Sequence, residues 1–367
     1  MSERYDIVIV GAGMAGASLA AMVAPHASVL MIETEERPGY HATGRSAAFW
    51  EETYGGPGVY PLTAASGPFL RDGGFLSPRG ALNIGRESDR AKVEAFVKRF
   101  AALGADVELL GRDEIEARVP GLAEEWTCAA WEAPCSDIDV AALHQHYLTA
   151  AKKTGAALRT RAELKAAYCE ADGWRLDLAD GSQVACDTLV NAAGAWADSV
   201  AEIAGAAPIG IEPLRRTVVQ LRTRPEVPND VPLVLDINET FYFKPEAGRI
   251  WLTPHDETPS APCDAAPDEL DVAIAIERME QVIGWEVEAV ERKWAGLRSF
   301  APDRLPVYGF DAKVPGFFWC AGQGGFGIQT APAGAALAAQ LLLGKRVSSI
   351  ADGIDPSPYD PARFAMN

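Results

Sequence analysis

No stretch of this chain stays apolar for the ~18 residues that a membrane-spanning helix requires. Cysteine pairs at redox or zinc spacing are missing too. The six cysteines stand at 128, 135, 169, 186, 263 and 320, with no CxxC among them. That excludes a zinc ribbon and argues against a dithiol reductase, and the thiols read as reduced and mostly buried. Histidine is scarce, and its five copies form no cluster at metal-ligand spacing; no metal is expected. Basic residues are in deficit, 33 against 51 acidic, for a formal charge of −18. This excludes nucleic acid and anionic membrane as natural partners and reads as a solubility feature. There is no internal repeat and no low-complexity tail. An apolar strand begins within a few residues of the start, which leaves no room for a signal peptide, so a cytoplasmic location is expected.

What is present is an ordinary globular composition, 48 % apolar and 23 % charged over 367 residues. At about 150 residues per domain that suggests two domains. The most informative stretch runs from Asp6 to Glu33: an apolar strand, Gly11-Ala12-Gly13-Met14-Ala15-Gly16, a small-residue helix, a second apolar strand and an acid. This is the dinucleotide fingerprint in the context it needs. Gly11 permits the tight turn, Gly13 lets backbone approach a pyrophosphate, and Gly16 lets helix and strand pack closely. The pyrophosphate belongs at the helix start, beside Met14 and Ala15, where free N–H groups and the helix dipole favour an anion. Glu33 is placed to take a ribose hydroxyl pair and disfavours a 2′-phosphate.

Further along, the segment Thr34 to Gly56 is long, rich in small residues, and placed beside a nucleotide site, so it reads as functional. Thr43, Arg45 and Ser46 there offer donors to phosphate or to ring carbonyls. Phe75 to Gly85 reads as a strand, Glu87 to Gly104 as a helix, and Val140 to Thr154 as a helix capped by Asp139 and Gly155. Asp172-Gly173 and Asp180-Gly181 mark a meander of strands 166–171, 174–179 and 183–186. It leads into Leu189-Val190-Asn191-Ala192-Ala193-Gly194-Ala195-Trp196, a buried strand ending in small residues where a helix opens. Ligands of a doubly wound sheet sit outside such strand ends. Residues 212–299 change texture to strands. The strand 316–321 is then followed by Gly322-Gln323-Gly324-Gly325-Phe326-Gly327-Ile328-Gln329-Thr330 and an Ala-rich helix to Leu343. A chain that leaves the fingerprint, builds a second domain and returns for its last strand and helix suits a flavin rather than a nicotinamide. The last helix would aim its positive end at the ring.

Four strings carry a family resemblance: Pro38 to Ala48, Leu189 to Trp196, Trp294-Ala295-Gly296-Leu297-Arg298-Ser299-Phe300, and Gln323 to Thr330. In order and content the chain resembles the D-amino-acid oxidase, glycine oxidase and sarcosine oxidase flavoproteins, most nearly the bacterial D-arginine dehydrogenase type. The resemblance implies an α/β fold, α+β overall: an FAD-binding Rossmann-like domain (1–74, 141–212 and 297–367) interleaved with an antiparallel-sheet substrate domain (75–140 and 213–296). It implies noncovalent FAD, because Gly322 stands where some relatives place a flavin-linking cysteine. The cofactor contacts it adds are Gly44, Ala47, Ala193, Gly194, Trp196, Gly324 to Ile328 and Gln329, with Ser46 near flavin N5.

Amino-acid oxidation needs a carboxylate anchor, and a guanidinium is well suited to a bidentate clamp. Arg298, at the end of an apolar strand, is either that clamp or an edge residue; the resemblance favours the clamp. Arg215 and Arg216 face opposite sides of a strand, and the resemblance favours Arg215 as the second contact. It also places Tyr54, Tyr242, Gln329 and Gly325 at the substrate. His41 reads as structural, Lys244 and Lys293 as surface lysines. Two departures bear on substrate. Ala81 stands where arginine-oxidising relatives carry a glutamate, and Phe49 replaces a histidine. An uncompensated basic side chain in a closed pocket is costly, so a neutral or hydrophobic amino acid is expected, of D configuration as the resemblance implies, oxidised by hydride transfer from Cα to flavin N5. The alternatives are an N-alkyl amino acid or 2-hydroxy acid as substrate, or a flavin-binding protein without catalysis. The electron acceptor is left open between O2 and a quinone or electron-transfer partner.

Overall fold

The computed structural model describes residues 3–364; the outermost residues of the expected cofactor domain, 1, 2 and 365–367, lie outside them. The strand Glu3–Val10 runs parallel to Val29–Ile32 on one side and to Gln183–Asn191 on the other. Ala157–Arg159 extends the sheet beyond 29–32, also in parallel. The strand 183–191 is a single element and carries two neighbours along one edge. Its first half pairs antiparallel with Gly173–Leu178, and its last three residues pair parallel with Phe317–Ala321. The parallel core strands are continuously buried rather than alternating, as expected when helices cover both faces. One face packs on the helices Met14–Val23 and Ala331–Leu343 through Leu19, Val23, Ala336 and Leu337; the other packs on Ala197–Ile203 through Ala197, Val200 and Ala201.

Gly11 turns the chain from the first strand into the first helix with φ +100°, and a Cβ there would stand 2.5 Å from the Ala192 carbonyl oxygen. A Cβ on Gly16 would stand closer still, 1.9 Å from the Gly11 carbonyl oxygen, so only glycine lets the helix seat on its own turn. His144, buried on the helix Val140–Lys153, braces the same turn from behind, its Nε2 2.9 Å from the Ala12 carbonyl. Asp139 caps that helix, accepting from the Ala142 N–H at 2.8 Å.

The second sheet has ten strands. Its spine pairs Glu212–Arg224 antiparallel with Glu286–Phe300 along their whole length, with Leu214 opposite Arg298. Arg249–Thr253, Tyr242–Glu246, Leu233–Asp236, Ala81–Arg86, Trp126–Glu132 and Glu108–Gly111 follow in order. The strand 286–300 continues unbroken past residue 296, the expected edge of the substrate domain, so both parts of the chain share it.

Two expectations are corrected, and one helix goes unread in the sequence. The strand read over 75–85 breaks at Arg79-Gly80, where Gly80 has φ +74°. Leu76–Pro78 joins a small sheet with Phe49–Trp50 and Ser136–Ile138, while Ala81–Arg86 joins the large one. The meander strand ending at Cys186 continues to Asn191. A helix, Tyr60–Asp72, forms despite Gly67 and Pro68 inside it. It is held by burial against the 331–343 helix, where Ser66 Oγ accepts from the Ala333 N–H at 3.1 Å.

Candidate active site

The two sheets enclose a cavity of about 420 Å³. At one end are Gly11, Gly13, Met14, Ala15 and Glu33; at the other, Gly296 and Arg298 with Tyr242. Glu33 is fixed by two backbone donors, the Ala12 N–H at 2.9 Å and the Glu35 N–H at 3.0 Å. Thr43 Oγ1 accepts from the Met14 N–H at 2.9 Å, so it caps the fingerprint helix and keeps its own hydrogen free to donate. Ser46, Ala47, Ala193, Gly194 and Trp196 line the middle, and Gly324, Gly325, Gly327 and Ile328 close the far side. His41 also lines the wall; its Nε2 lies 2.9 Å from Glu35 and its ring stacks obliquely on Trp196.

A smaller recess of about 20 Å³ opens beside Arg298, walled by Phe49, Tyr54, Tyr242, Gly325, Ile328 and Gln329. Three aromatic rings shape it. Phe49 meets Tyr54 and Tyr242 edge-on at 5.2 and 5.8 Å between centroids. The Arg298 guanidinium carbon lies 5.8 Å from the centre of the Tyr54 ring. Arg298 has no carboxylate partner among the described residues. Glu257, the acid acting on it, is taken by Arg216 and Arg304 at 3.3 and 2.8 Å.

The second arginine of the cavity is Arg216, not Arg215. Opposed residues of an antiparallel pair share a face, so Leu214, Arg216 and Val218 lie on the side of Arg298. Arg216 is 4 % exposed and lines the cavity, and its Nη1 has no partner. Arg215 faces the other way and pairs with Asp271 at 2.7 Å. Burial pulls the Arg216 pKa down, and Arg298 beside it adds to the shift. His255, edge-on to Tyr242, is pushed down to about 2 by burial first and then by Arg216 and Arg298, so it is neutral. Burial raises the Tyr54 phenol, which stays protonated and able to donate.

Other sequence-picked residues sit elsewhere than expected. Arg45 lines the cavity, but its guanidinium is spent on Asp264 at 2.5 Å and on the carbonyls of Tyr40, Ala265 and Ala295, so it ties the 258–268 segment down rather than facing a phosphate. Gln329 is 2 % exposed; its amide accepts from the Glu51 N–H and donates to Tyr54 O and Thr63 Oγ1. The Phe326 ring is buried against Val59, Leu214 and Phe300. Gly44 is folded against the Gly39 carbonyl. Ala81 lies behind the recess, fully buried among Phe49, Leu233 and Tyr242. Lys244 is no surface lysine: it is 3 % exposed and pairs with Asp137 at 2.6 Å and Glu246 at 3.2 Å. Lys293 does lie at the surface, paired with Glu269. Burial pushes the Cys320 thiol up to about 12. Sequence reading passed over Glu51 and Glu132, both fully buried behind Tyr54; burial pushes Glu51 up to about 7 and raises Glu132 as well. Only their place next to the site residues in the fold reveals them.

The cavity is one continuous space from a glycine turn, where a Cβ would collide, to an arginine without a counter-ion. That length and polarity fit an extended FAD. Comparison with known proteins agrees. The chain is 24 % identical to the hydrogen cyanide synthase subunit HcnC of Pseudomonas aeruginosa, over 99 % of this chain and 97 % of that protein. It is 24 % identical to the glycine oxidase of Geobacillus kaustophilus, over 99 % and 98 %. The crystal structure of glycine oxidase from Geobacillus kaustophilus superposes with a TM-score of 0.86 at 23 % identity, covering 99 % of both chains. That of L-proline dehydrogenase from P. horikoshii gives 0.86 at 23 % identity, covering 100 % and 99 %. A model of the FAD dependent oxidoreductase family, DAO, matches residues 6–341, and the chain belongs to that family, with FAD as its cofactor.

Proposed function

We propose that this flavoenzyme oxidises a free neutral amino acid at the recess beside Arg298, with the D configuration taken from the sequence resemblance. The observation that carries the reading is Arg298 itself: a buried guanidinium that opens into the cavity between two phenols and lacks an acid of its own. A bidentate carboxylate is the natural ligand for such a group. Arg216, with its free Nη1, supplies a second contact, and Tyr54 and Tyr242 donate phenolic hydrogens to the same carboxylate. Anchoring at those points fixes the Cα–H direction, an orientation effect worth several kcal/mol of barrier, on the order of 7 in favourable cases.

The walls favour a small apolar side chain. Phe49 borders the recess, and Ala81 leaves no acid at the position where a basic side chain would need one. Gly11, Gly13 and the Thr43 hydroxyl would hold the FAD pyrophosphate, Glu33 the ribose, and Ser46, Ala47 and Gly325 the ring. Bound FAD supplies the hydride acceptor. Among the described residues no carboxylate or histidine lines the recess, so the amine proton is expected to leave to solvent before oxidation. With Cys320 protonated, we further infer that FAD is held noncovalently; acid precipitation should release all of it to the supernatant.

The test is anaerobic bleaching of the bound flavin across D- and L-amino acids, sarcosine and lactate. Bleaching by neutral D-amino acids such as D-Met, D-Leu or D-Ala is expected. D-arginine outrunning all of these, or bleaching only by sarcosine or lactate, would overturn the assignment.

A further inference from the structure

Two carboxylic acids stand behind the recess, and among the described residues neither has a cationic partner. Glu132, the last residue of the strand 126–132, accepts from the Glu52 N–H at 2.5 Å through Oε1 and from the Thr53 N–H at 3.2 Å through Oε2. Glu51 accepts at Oε1 from Asn83 Nδ2 at 3.0 Å and Thr53 Oγ1 at 3.3 Å, while its Oε2 is buried without a partner. The four-residue turn 51–54 therefore hangs from Glu132 on one side and from Gln329 on the other. It ends in Tyr54, whose ring lies against Arg298.

The other titratable groups around this pair offer no relief. Cys135 feels both acids and is raised by burial. Lys244 is committed to Asp137 and Glu246. Tyr54 is protonated, and Asn83, on the strand 81–86, is neutral. Glu52, on the turn itself, faces outward toward Arg71 and Asp106. Two like charges in such a place cannot both be ionised without movement, so the pair titrates as a unit. The two N–H donors at Glu132 suit a carboxylate there and the orphan Oε2 of Glu51 suits an acid, while burial and the charge of Glu51 push Glu132 up strongly as well, so the proton belongs to the pair rather than to one residue.

We propose that Glu132 is a positioning residue for Tyr54, acting through the 51–54 turn, and that one proton held by the Glu51–Glu132 pair keeps that turn in place over Arg298. The inference rests on the reading of Arg298 and Tyr54 as carboxylate contacts. Loss of that proton sets two buried anions side by side. The turn is the part able to move, and Tyr54 moves with it.

Benzoate is a suitable probe, because it is a carboxylate that stays ionised from pH 5.5 to 9.5 and is not oxidised. Its dissociation constant is read from the visible spectrum of the bound flavin in the holoenzyme. In the native protein binding should weaken at least tenfold as pH rises through neutrality. Glu51→Gln should bind with a nearly constant dissociation constant across the range. Glu132→Gln, which retains one acceptor oxygen, should weaken binding several-fold at every pH, with KM for the amino acid rising more than kcat falls; Glu132→Ala should weaken it further, and the Gln variant carries the test if the Ala variant does not fold. In a Tyr54→Phe background, Glu51→Gln should have no further effect. Benzoate binding that is pH-independent in the native protein, or that titrates identically in Glu51→Gln, overturns this inference and leaves the carboxylate site standing. A native holoenzyme that shows no response to benzoate at any pH overturns both.

Discussion

Arg215 and Arg216 are neighbours in sequence with opposite fates. One is bound to Asp271; the other opens a free Nη1 into the cavity. A charge-assisted hydrogen bond contributes roughly 1.5–3 kcal/mol, so Arg216→Met should lower kcat/KM by about 10- to 150-fold, mostly through KM. Arg215→Met, which strips a partner from Asp271, should lower thermal stability and leave kcat/KM within about threefold of native, since its side chain touches no lining group. Equal kinetic losses in both variants would refute the assignment. Glu51 gives a second test at this scale. Its folded-state pKa of about 7 lies above the ordinary 4.5. The unfolded chain thus ionises first as pH rises, and the native state loses relative stability between about pH 4.5 and 7, with no further loss above. Glu51→Gln lacks this titration. The melting temperature of the variant minus that of the native protein should climb across that window and then level off, corresponding to at most about 3 kcal/mol. A difference that is flat with pH would show that Glu51 is not a buried neutral acid.

At the scale of elements, the glycine turn 322–327 and the strand 286–300 meet at one tight place. A Cβ on Gly325 would stand 2.7 Å from the Arg298 guanidinium carbon and 2.8 Å from the Tyr54 hydroxyl, nearer than a Cβ comes to a non-bonded heavy atom, so these side-chain ends must shift. Gly325→Ala should therefore displace Arg298 and Tyr54 together. Substrate bleaching, measured per bound FAD, should fall by about 100-fold or more, a loss of roughly 3 kcal/mol of positioning. Retained bleaching rates would mean that the clamp lies elsewhere. The same scale shows which features a single sequence exposes. The fingerprint is legible because strand, turn, helix and acid are local and fixed in spacing, and the Asp139 cap and the Asp-Gly turns are legible for the same reason. The choice between Arg215 and Arg216 is not, because it depends on which residue of a distant strand lies opposite Leu214. Neither is the Glu51–Glu132 pair, joined only through a turn pinned by a strand some eighty residues away. The helix 60–72 is hidden by Gly67 and Pro68, whose unfavourable local preferences are overridden by burial against the last helix.

For the whole molecule, the consequence lies in the cavity walls. One end is built by the parallel sheet and its helix start, the other by the antiparallel sheet through Arg216, Tyr242 and Arg298, and the Arg45–Asp264 contact straps the two across the mouth. A cofactor filling this space touches both sheets, so its binding energy is shared between them and is absent from the unfolded chain. Stabilisation by such a ligand follows mass action, about 2.7 kcal/mol when free FAD is a hundredfold above its dissociation constant. Protein stripped of flavin should melt lower than the holoenzyme, and the melting temperature should rise with the logarithm of added FAD. Tryptophans report on both halves: Trp174 and Trp319 lie in the core of the first sheet, and Trp126 in that of the second. Without FAD, unfolding followed by fluorescence of single-tryptophan variants at these positions should give two different midpoints. With saturating FAD the midpoints should move up and converge, because the filled cavity couples the two sheets. Asp264→Ala, which removes the ion pair of the strap and leaves its carbonyl contacts, should leave apo midpoints nearly unchanged and reduce the gain from FAD. If added FAD moves neither midpoint, the cavity is not its site; if it moves only the midpoint of the parallel sheet, the ring does not reach Arg298.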